Sequence, residues 1–296
     1  MYDSDVRDRA LGAYLGLALG DALGATVEFL TAREIAAQHG RHDEIKGGGW
    51  LKLRAGAVTD DTQMSMALGL ALIESGGWQL TAIAEAWAEW LRSKPADVGN
   101  TCRRGIRRYL KDGSLLTPES ADAGNGAAMR NVPVTIVTLG HPRALVKRSL
   151  EQARFTHHNP LSDAATVTLG QMTQTLMLGG TTADCRLQAD TLIASHRQFR
   201  FEPYPGQAGG YIVDTVQTVF DAFFAEEDFE ACLIRTVNRG GDADTTGAIV
   251  GQLAGARCGA SRLPRRWLKK LDPSVHAAIV AQTDGLLALA AAAAAC

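Results

Sequence analysis

Glycine recurs at every fourth position through the apolar stretch Leu11 to Gly24, at Gly12, Gly16, Gly20 and Gly24. At helical spacing the four share one face. Each lowers helix propensity by about 1 kcal/mol relative to alanine, so a helix carrying four of them needs close contact with a second helix in compensation. The same small-residue spacing occurs in membrane helices, but this run is short and contains Asp21. It is read as a buried helix of a soluble protein. The rest of the chain shows no βαβ rhythm, internal repeat or linker-like break in composition. The expected architecture is all-α: one compact, many-helix domain over residues 1–296, with a tail from about 285 to 296 that frays.

The 296 residues are 46% hydrophobic with a formal net charge of -2, enough for a large core and too evenly charged for a nucleic-acid binder, which needs a clustered positive surface. Five cysteines (Cys102, Cys185, Cys232, Cys258 and Cys296) are scattered without a C-x-x-C pair, which points to a reducing compartment and not to a disulfide frame or zinc site. Met1 to Arg9 lacks the pattern of a secretory signal. The longest apolar run, Gly285 to Cys296, is shorter than the roughly 20 residues that span a bilayer. A cytoplasmic protein is expected.

Two stretches concentrate carboxylates and hydroxyls. The first is Thr59-Asp60-Asp61-Thr62, running into the helical pattern Met64 to Glu74; the second is Gly240-Gly241-Asp242-Ala243-Asp244-Thr245-Thr246-Gly247, ahead of the small-residue run Ala248 to Ala256. Asp and Thr are ordinary helix caps, and one such stretch alone would be explained that way. Adjacent acids repel unless a cation or solvent separates them, and two such stretches in one chain are harder to dismiss. Residues two apart on a helix point about 200° from each other, so Asp242 and Asp244 share a ligand only from an irregular turn. An EF-hand is excluded, because its twelfth place needs a bidentate Glu and is filled by Leu253. Together Thr59, Asp60, Asp61, Asp242, Asp244 and Thr245 offer hard oxygen donors for one or two octahedral ions such as Mg²⁺ or Mn²⁺.

Other features are weaker singly. Glu28 is an acid among apolar neighbours, most simply solvated or paired. Gly47-Gly48-Gly49 centres a loop and lacks the Gly-Lys-Ser/Thr of a P-loop. Asp97 to Thr101 is a polar turn before a helix whose Arg103, Arg104, Arg107 and Arg108 read as a solvated basic face. Gly124-Asn125-Gly126 is either a plain turn or a loop whose backbone N–H groups approach phosphate. Val132 to Leu139 is β-branched and by propensity a strand. His157-His158 stands at a helix entrance, and Tyr211 follows a Gly-Gly hinge, where it packs or stacks on a base.

Taken in order, Gly20-Asp21-Ala22-Leu23-Gly24 with Glu28, Thr59-Asp60-Asp61-Thr62, Gly124-Asn125-Gly126 with Met129-Arg130, His157-His158, Gly209-Gly210-Tyr211 and Gly240 to Thr245 resemble the ADP-ribosylglycohydrolase family, and within it the branch that acts on dinitrogenase reductase. The resemblance runs from about residue 11 to 256. It implies an all-α fold around a binuclear Mn²⁺ or Mg²⁺ centre in a cleft, with Thr59, Asp60, Asp61, Asp242, Asp244 and Thr245 as ligands. Gly124, Asn125, Gly126 and His158 would hold ADP-ribose, with Tyr211 flanking it. It also implies a helix, not a strand, over Val132 to Leu139.

The implied reaction hydrolyses the N-glycosidic bond between ADP-ribose and an arginine side chain. Departure of the guanidine leaves oxocarbenium character on the ribose, and a carboxylate must move the proton. Glu28 and Asp97 are the two candidates, with Asn100 orienting substrate beside Asp97. The implied target is ADP-ribosylated dinitrogenase reductase, with a PII signalling protein as regulator and reversible peripheral membrane association through an ammonium transporter. Competing expectations are another ADP-ribosyl linkage (serine or polymer), a non-catalytic structural protein on the same scaffold, and an unrelated Mg²⁺-dependent phosphohydrolase.

Overall fold

The structure, a computed structural model, describes residues 2–294; Met1 and the last two positions of the tail, 295 and 296, lie outside the described residues. Fourteen α-helices are present among them: α1 (Ser4–Gly24), α2 (Ala32–His39), α3 (Asp60–Glu74), α4 (Leu80–Arg92), α5 (Asn100–Asp112), α6 (Val132–Val137), α7 (Pro142–Arg154), α8 (Pro160–Met177), α9 (Thr182–Ser195), α10 (Ile212–Ala225), α11 (Phe229–Val237), α12 (Ala243–Cys258), α13 (Arg265–Leu268) and α14 (Pro273–Ala294). Extended pairing among the described residues is limited to isolated bridges, such as Thr31 with Gly240 and Gly124 with Tyr211.

The glycine face of α1 meets α12. A Cβ placed on Gly12, Gly16, Gly20 or Gly24 would collide with the backbone at Gly255, Gly251, Gly247 and Ala243 respectively, and the three facing glycines would collide in return. Rising numbers on one helix meet falling numbers on the other, so the two run antiparallel. Contact at this range replaces side-chain packing by backbone-to-backbone van der Waals contact along four turns, and it offsets the helix propensity lost at the glycines. From Gly12 onward α1 is buried all round, as is α12 almost to its end, with α3, α8 and α14 packed about α1.

The antiparallel pairing positions the site. The C-terminal end of α1 lies beside the N-terminal end of α12, so the segment leaving α1 toward Glu28 runs against the Gly240–Asp242 turn. There the Phe29 N–H donates to Gly241 O at 2.7 Å and the Gly241 N–H to Leu30 O at 2.8 Å.

The segment Val132 to Leu139 is not a strand. Val132–Val137 is helical, with Pro133 in its first turn, where a fixed φ suits helix entry. The Thr135 and Thr138 hydroxyls donate back to the carbonyls of Val132 and Val134. Full burial among α3, α8 and α14 overrides the β-branched preference, a weak prior when packing decides.

The apolar C-terminal run is also longer in context than it is counted from Gly285. Its helix begins at Pro273, and by length and composition α14 is able to cross a membrane, although a third of the relevant window is buried against the protein. Its buried Gln282 accepts the Tyr14 hydroxyl at 2.8 Å and donates to Met66 O, the packing of a core helix. The tail expected to fray is helical as far as Ala294.

Candidate active site

A helix start leaves four backbone N–H groups without partners. At α3 a residue of another helix supplies them: the Asp21 carboxylate, in the last turn of α1, accepts the Thr59 N–H at 3.0 and 3.1 Å, the Thr62 N–H at 3.2 Å and the Thr62 hydroxyl. The N-cap residue Thr59 makes no capping bond of its own, and neither does Asp242 at the start of α12. The acidic stretches are therefore not spent on capping, and their side chains are left to face each other.

They do so in one cleft of about 840 Å³, within the roughly 300–1,000 Å³ usual for small-molecule sites. Glu28, Asp60, Asp97, Asp242, Asp244 and Thr245 line it. Carboxylate oxygens of Glu28, Asp242 and Asp244 lie within 4.8 Å of one another. Only Asp242 stays outside the helix (φ -81°, ψ 65°); Asp244 belongs to the first turn of α12, so the irregular turn holds one of the two acids and not both. Asp61, fully buried, lies beneath. Its Oδ2 accepts the hydroxyls of Thr59 at 3.2 Å and Thr245 at 3.3 Å, while Oδ1 is buried without a hydrogen-bond partner.

Burial pushes every one of these carboxyls upward. Asp60 rises to about 7, through burial and then the charge of Asp97. Glu28 rises to about 8, through burial and the charges of Asp97, Asp242 and Asp60, opposed by the Trp50 indole N–H, which donates to its Oε2 at 2.6 Å. Burial also raises Asp97 and Asp242, and Asp61 and Asp244 are held well above the carboxylate range by burial and by neighbouring acids. Among the described residues no Lys, Arg or His lies within ion-pair distance of any of them. A buried cluster of like charge without a counter-cation is unfavourable. Oxygen-only donors, an orphaned Asp61 oxygen and uncompensated charge fit a hard divalent cation.

These observations agree with a wider likeness. The sequence matches the family model described as ADP-ribosylglycohydrolase over residues 2–295. The chain belongs to the ADP-ribosylglycohydrolase family. It is 56% identical to an ADP-ribosyl-[dinitrogen reductase] glycohydrolase of Rhodospirillum rubrum, over 98% of this chain and 99% of that one. It is 32% identical to an ADP-ribosylarginine hydrolase, Tri1, of Pseudomonas putida, over 93% of this chain and 77% of the relative. A solved structure titled an ADP-ribosylglycohydrolase-related protein complex superposes with a TM-score of 0.86 at 32% identity, covering 97% of this chain and 100% of the other. The fold of that structure is shared over nearly the whole of both chains.

The remaining expected residues divide. Asn100, Gly124, Asn125 and Gly126 line the cleft. Asn125 donates its amide to Thr215 Oγ1 and to Asp242 Oδ2, so it orients an acid of the cluster. A Cβ at Gly126 would come within 2.8 Å of Cys102 Sγ and the His157 ring, which requires glycine there. Tyr211 sits beside the cleft, pairing its backbone with Gly124, its ring 45% exposed. His158 is not in the cleft. Its Nδ1 is bonded to Thr117 O at 2.7 Å, and it lines a separate cavity with Arg154 and Asp163. The preceding His157 faces the cleft instead, buried and pushed down to about 3 by burial and by Arg130. The two histidines are consecutive in the irregular segment between α7 and α8, and neighbours in sequence there face different cavities.

Sequence reasoning missed Asp21 and Trp50. An acid inside a glycine-rich apolar helix was a usable signal for Asp21. Nothing local marks Trp50.

Proposed function

We propose that this chain hydrolyses the bond between ADP-ribose and an arginine side chain of a target protein, with ADP-ribosylated dinitrogenase reductase as that target. The observation that carries the reading is the meeting of Asp60 with Asp242 and Asp244 in one cleft, with the buried Asp61 bonded to Thr245 of that cleft; the 56% identity to the Rhodospirillum rubrum enzyme supports the target. Thr59, Asp60, Asp61, Asp242, Asp244 and Thr245 would hold two Mn²⁺ or Mg²⁺ ions. When bound, such ions supply charge to orient ribose hydroxyls and to acidify a water.

The chain's own groups account for the rest. As the C1″–N bond breaks, its electron pair leaves with the guanidine nitrogen and positive charge develops on the ribose, facing buried carboxylates that stabilise it. Glu28 lines the cleft with its carboxylate oxygens within 4.8 Å of those of Asp242 and Asp244, and from there it is placed to give a proton to the departing nitrogen. Asp97, also in the cleft, is the other candidate; water then adds at C1″ as a hydroxyl, and its other proton returns to the carboxylate the donor has become. The backbone at Gly124 to Gly126 and Gly209 to Gly210 forms a wall without bulky side chains, where N–H groups can approach a pyrophosphate. A cytoplasmic location, a PII signalling partner and peripheral membrane contact through an ammonium transporter complete the proposal, on the likeness to that branch of the family.

Mass spectrometry of an arginine-ADP-ribosylated protein, before and after incubation with this chain and Mn²⁺, tests it. Release of free ADP-ribose and restoration of the unmodified arginine are expected. Release of phosphate, or an unchanged mass, would remove the reading.

A further inference from the structure

Phe29 and Trp50 are large aromatic residues left 64% and 52% exposed at the edge of the cleft. Phe29 also holds φ at +63°, a strained conformation for a bulky side chain. Its N–H is bonded to Gly241 O, and most of its side chain is left to solvent. The two rings lie 5.4 Å apart, tilted by 46°. The single donor of Trp50 is already given to Glu28, so what both residues present to a ligand is aromatic face.

We infer that Phe29 and Trp50 form the subsite for the arginine side chain that leaves the substrate, taking its guanidinium against their rings. This rests on the arginine-linkage reading above. Three observations place the leaving side here. Trp50 is bonded to Glu28, one of the two candidate donors to the departing nitrogen, and both candidates line the same cleft as the pair. The cleft beside it carries Glu28 and Asp97, the two lining acids not assigned to the cations, and aromatic faces beside negative charge select a planar cation. The cleft's glycine wall, at Gly124 to Gly126 and Gly209 to Gly210, suits phosphates instead, which assigns the nucleotide to that wall. The strain at Phe29 is then retained for recognition, not for folding.

The test compares Phe29→Gly, Trp50→Leu and the unsubstituted protein, using an ADP-ribosylated arginine peptide for kinetics and free ADP-ribose for binding calorimetry, with Mn²⁺ present. Phe29→Gly removes the ring and the strain together, so its Tm should hold or rise. Its KM for the peptide should rise roughly ten-fold, while its Kd for ADP-ribose stays within about two-fold of the original. Trp50→Leu should raise KM and also lower kcat, because Glu28 loses its partner. Equal weakening of ADP-ribose and peptide would show that the rings hold adenine and would overturn the inference. So would an unchanged KM in both variants. Absence of turnover by the unsubstituted protein would instead sink the arginine reading itself.

Discussion

Thr245 donates its hydroxyl to Asp61 Oδ2 across 3.3 Å, joining residues 184 positions apart in the chain. The contact ties the first turn of α12 to the first turn of α3, and Asp61 Oδ1 is left buried and unpartnered beside it. Two helix starts that would each be unremarkable alone thus form one oxygen-lined floor.

Removing one oxygen of that floor should disable it without unfolding the chain. Asp61→Asn is expected to lower turnover by at least about 100-fold, the scale of losing a group that supports a metal site. Asp60→Ala and Asp242→Ala should do the same. In EDTA the Tm of Asp61→Asn should match or exceed that of the original protein, since one of several repelling buried acids has gone. Near-normal ADP-ribose release by any of them would count against the site.

Stability without a divalent cation should fall as pH rises. Asp21, Asp60 and Glu28 stand at about 6, 7 and 8, above ordinary values of 3.8, 3.8 and 4.5. Between about pH 4 and 8 the folded state therefore holds more protons than the unfolded one, and stability declines with pH across that window. Bound cations favour the ionised acids, so Mn²⁺ should raise Tm more at pH 8 than at pH 5. Thermal melts in EDTA and in Mn²⁺ at both pH values decide it; equal gains would mean that the acids do not hold the ion.

The α1–α12 contact should tolerate no side chain. Gly16→Ala improves helix propensity by about 1 kcal/mol, yet its methyl would collide with Gly251 O. A net loss of roughly 2 kcal/mol or more is expected from overpacking against backbone that cannot yield. Urea denaturation would show it, and an unchanged midpoint would mean that the helices separate freely.

Asp21→Ala should act at a distance. It strips partners from the Thr59 and Thr62 N–H groups, at about 1–3 kcal/mol for buried donors left unpaired, and frees the helix start carrying Asp60 and Asp61. Turnover should fall at least about ten-fold, with a raised Mn²⁺ requirement measured by titration; a loss of stability with unaltered metal dependence would confine Asp21 to folding.

Short spacings settled much of this protein. Glycines four apart demanded a close helical partner, and acid–hydroxyl runs marked two helix starts rich in oxygen donors, because such patterns depend on local geometry alone. Which helix α1 meets, and that Asp21 rather than Thr59 satisfies α3, depended on the antiparallel register with α12. Burial turned Val132–Val137 helical against its β-branched preference, and in the irregular segment between α7 and α8 His157 faces the cleft while His158 faces another cavity. Trp50 reached Glu28 only through the loop between α2 and α3. Spacing along a chain reports which side chains can share a face, but proximity between distant segments is set by the packing of whole helices, which no local pattern encodes.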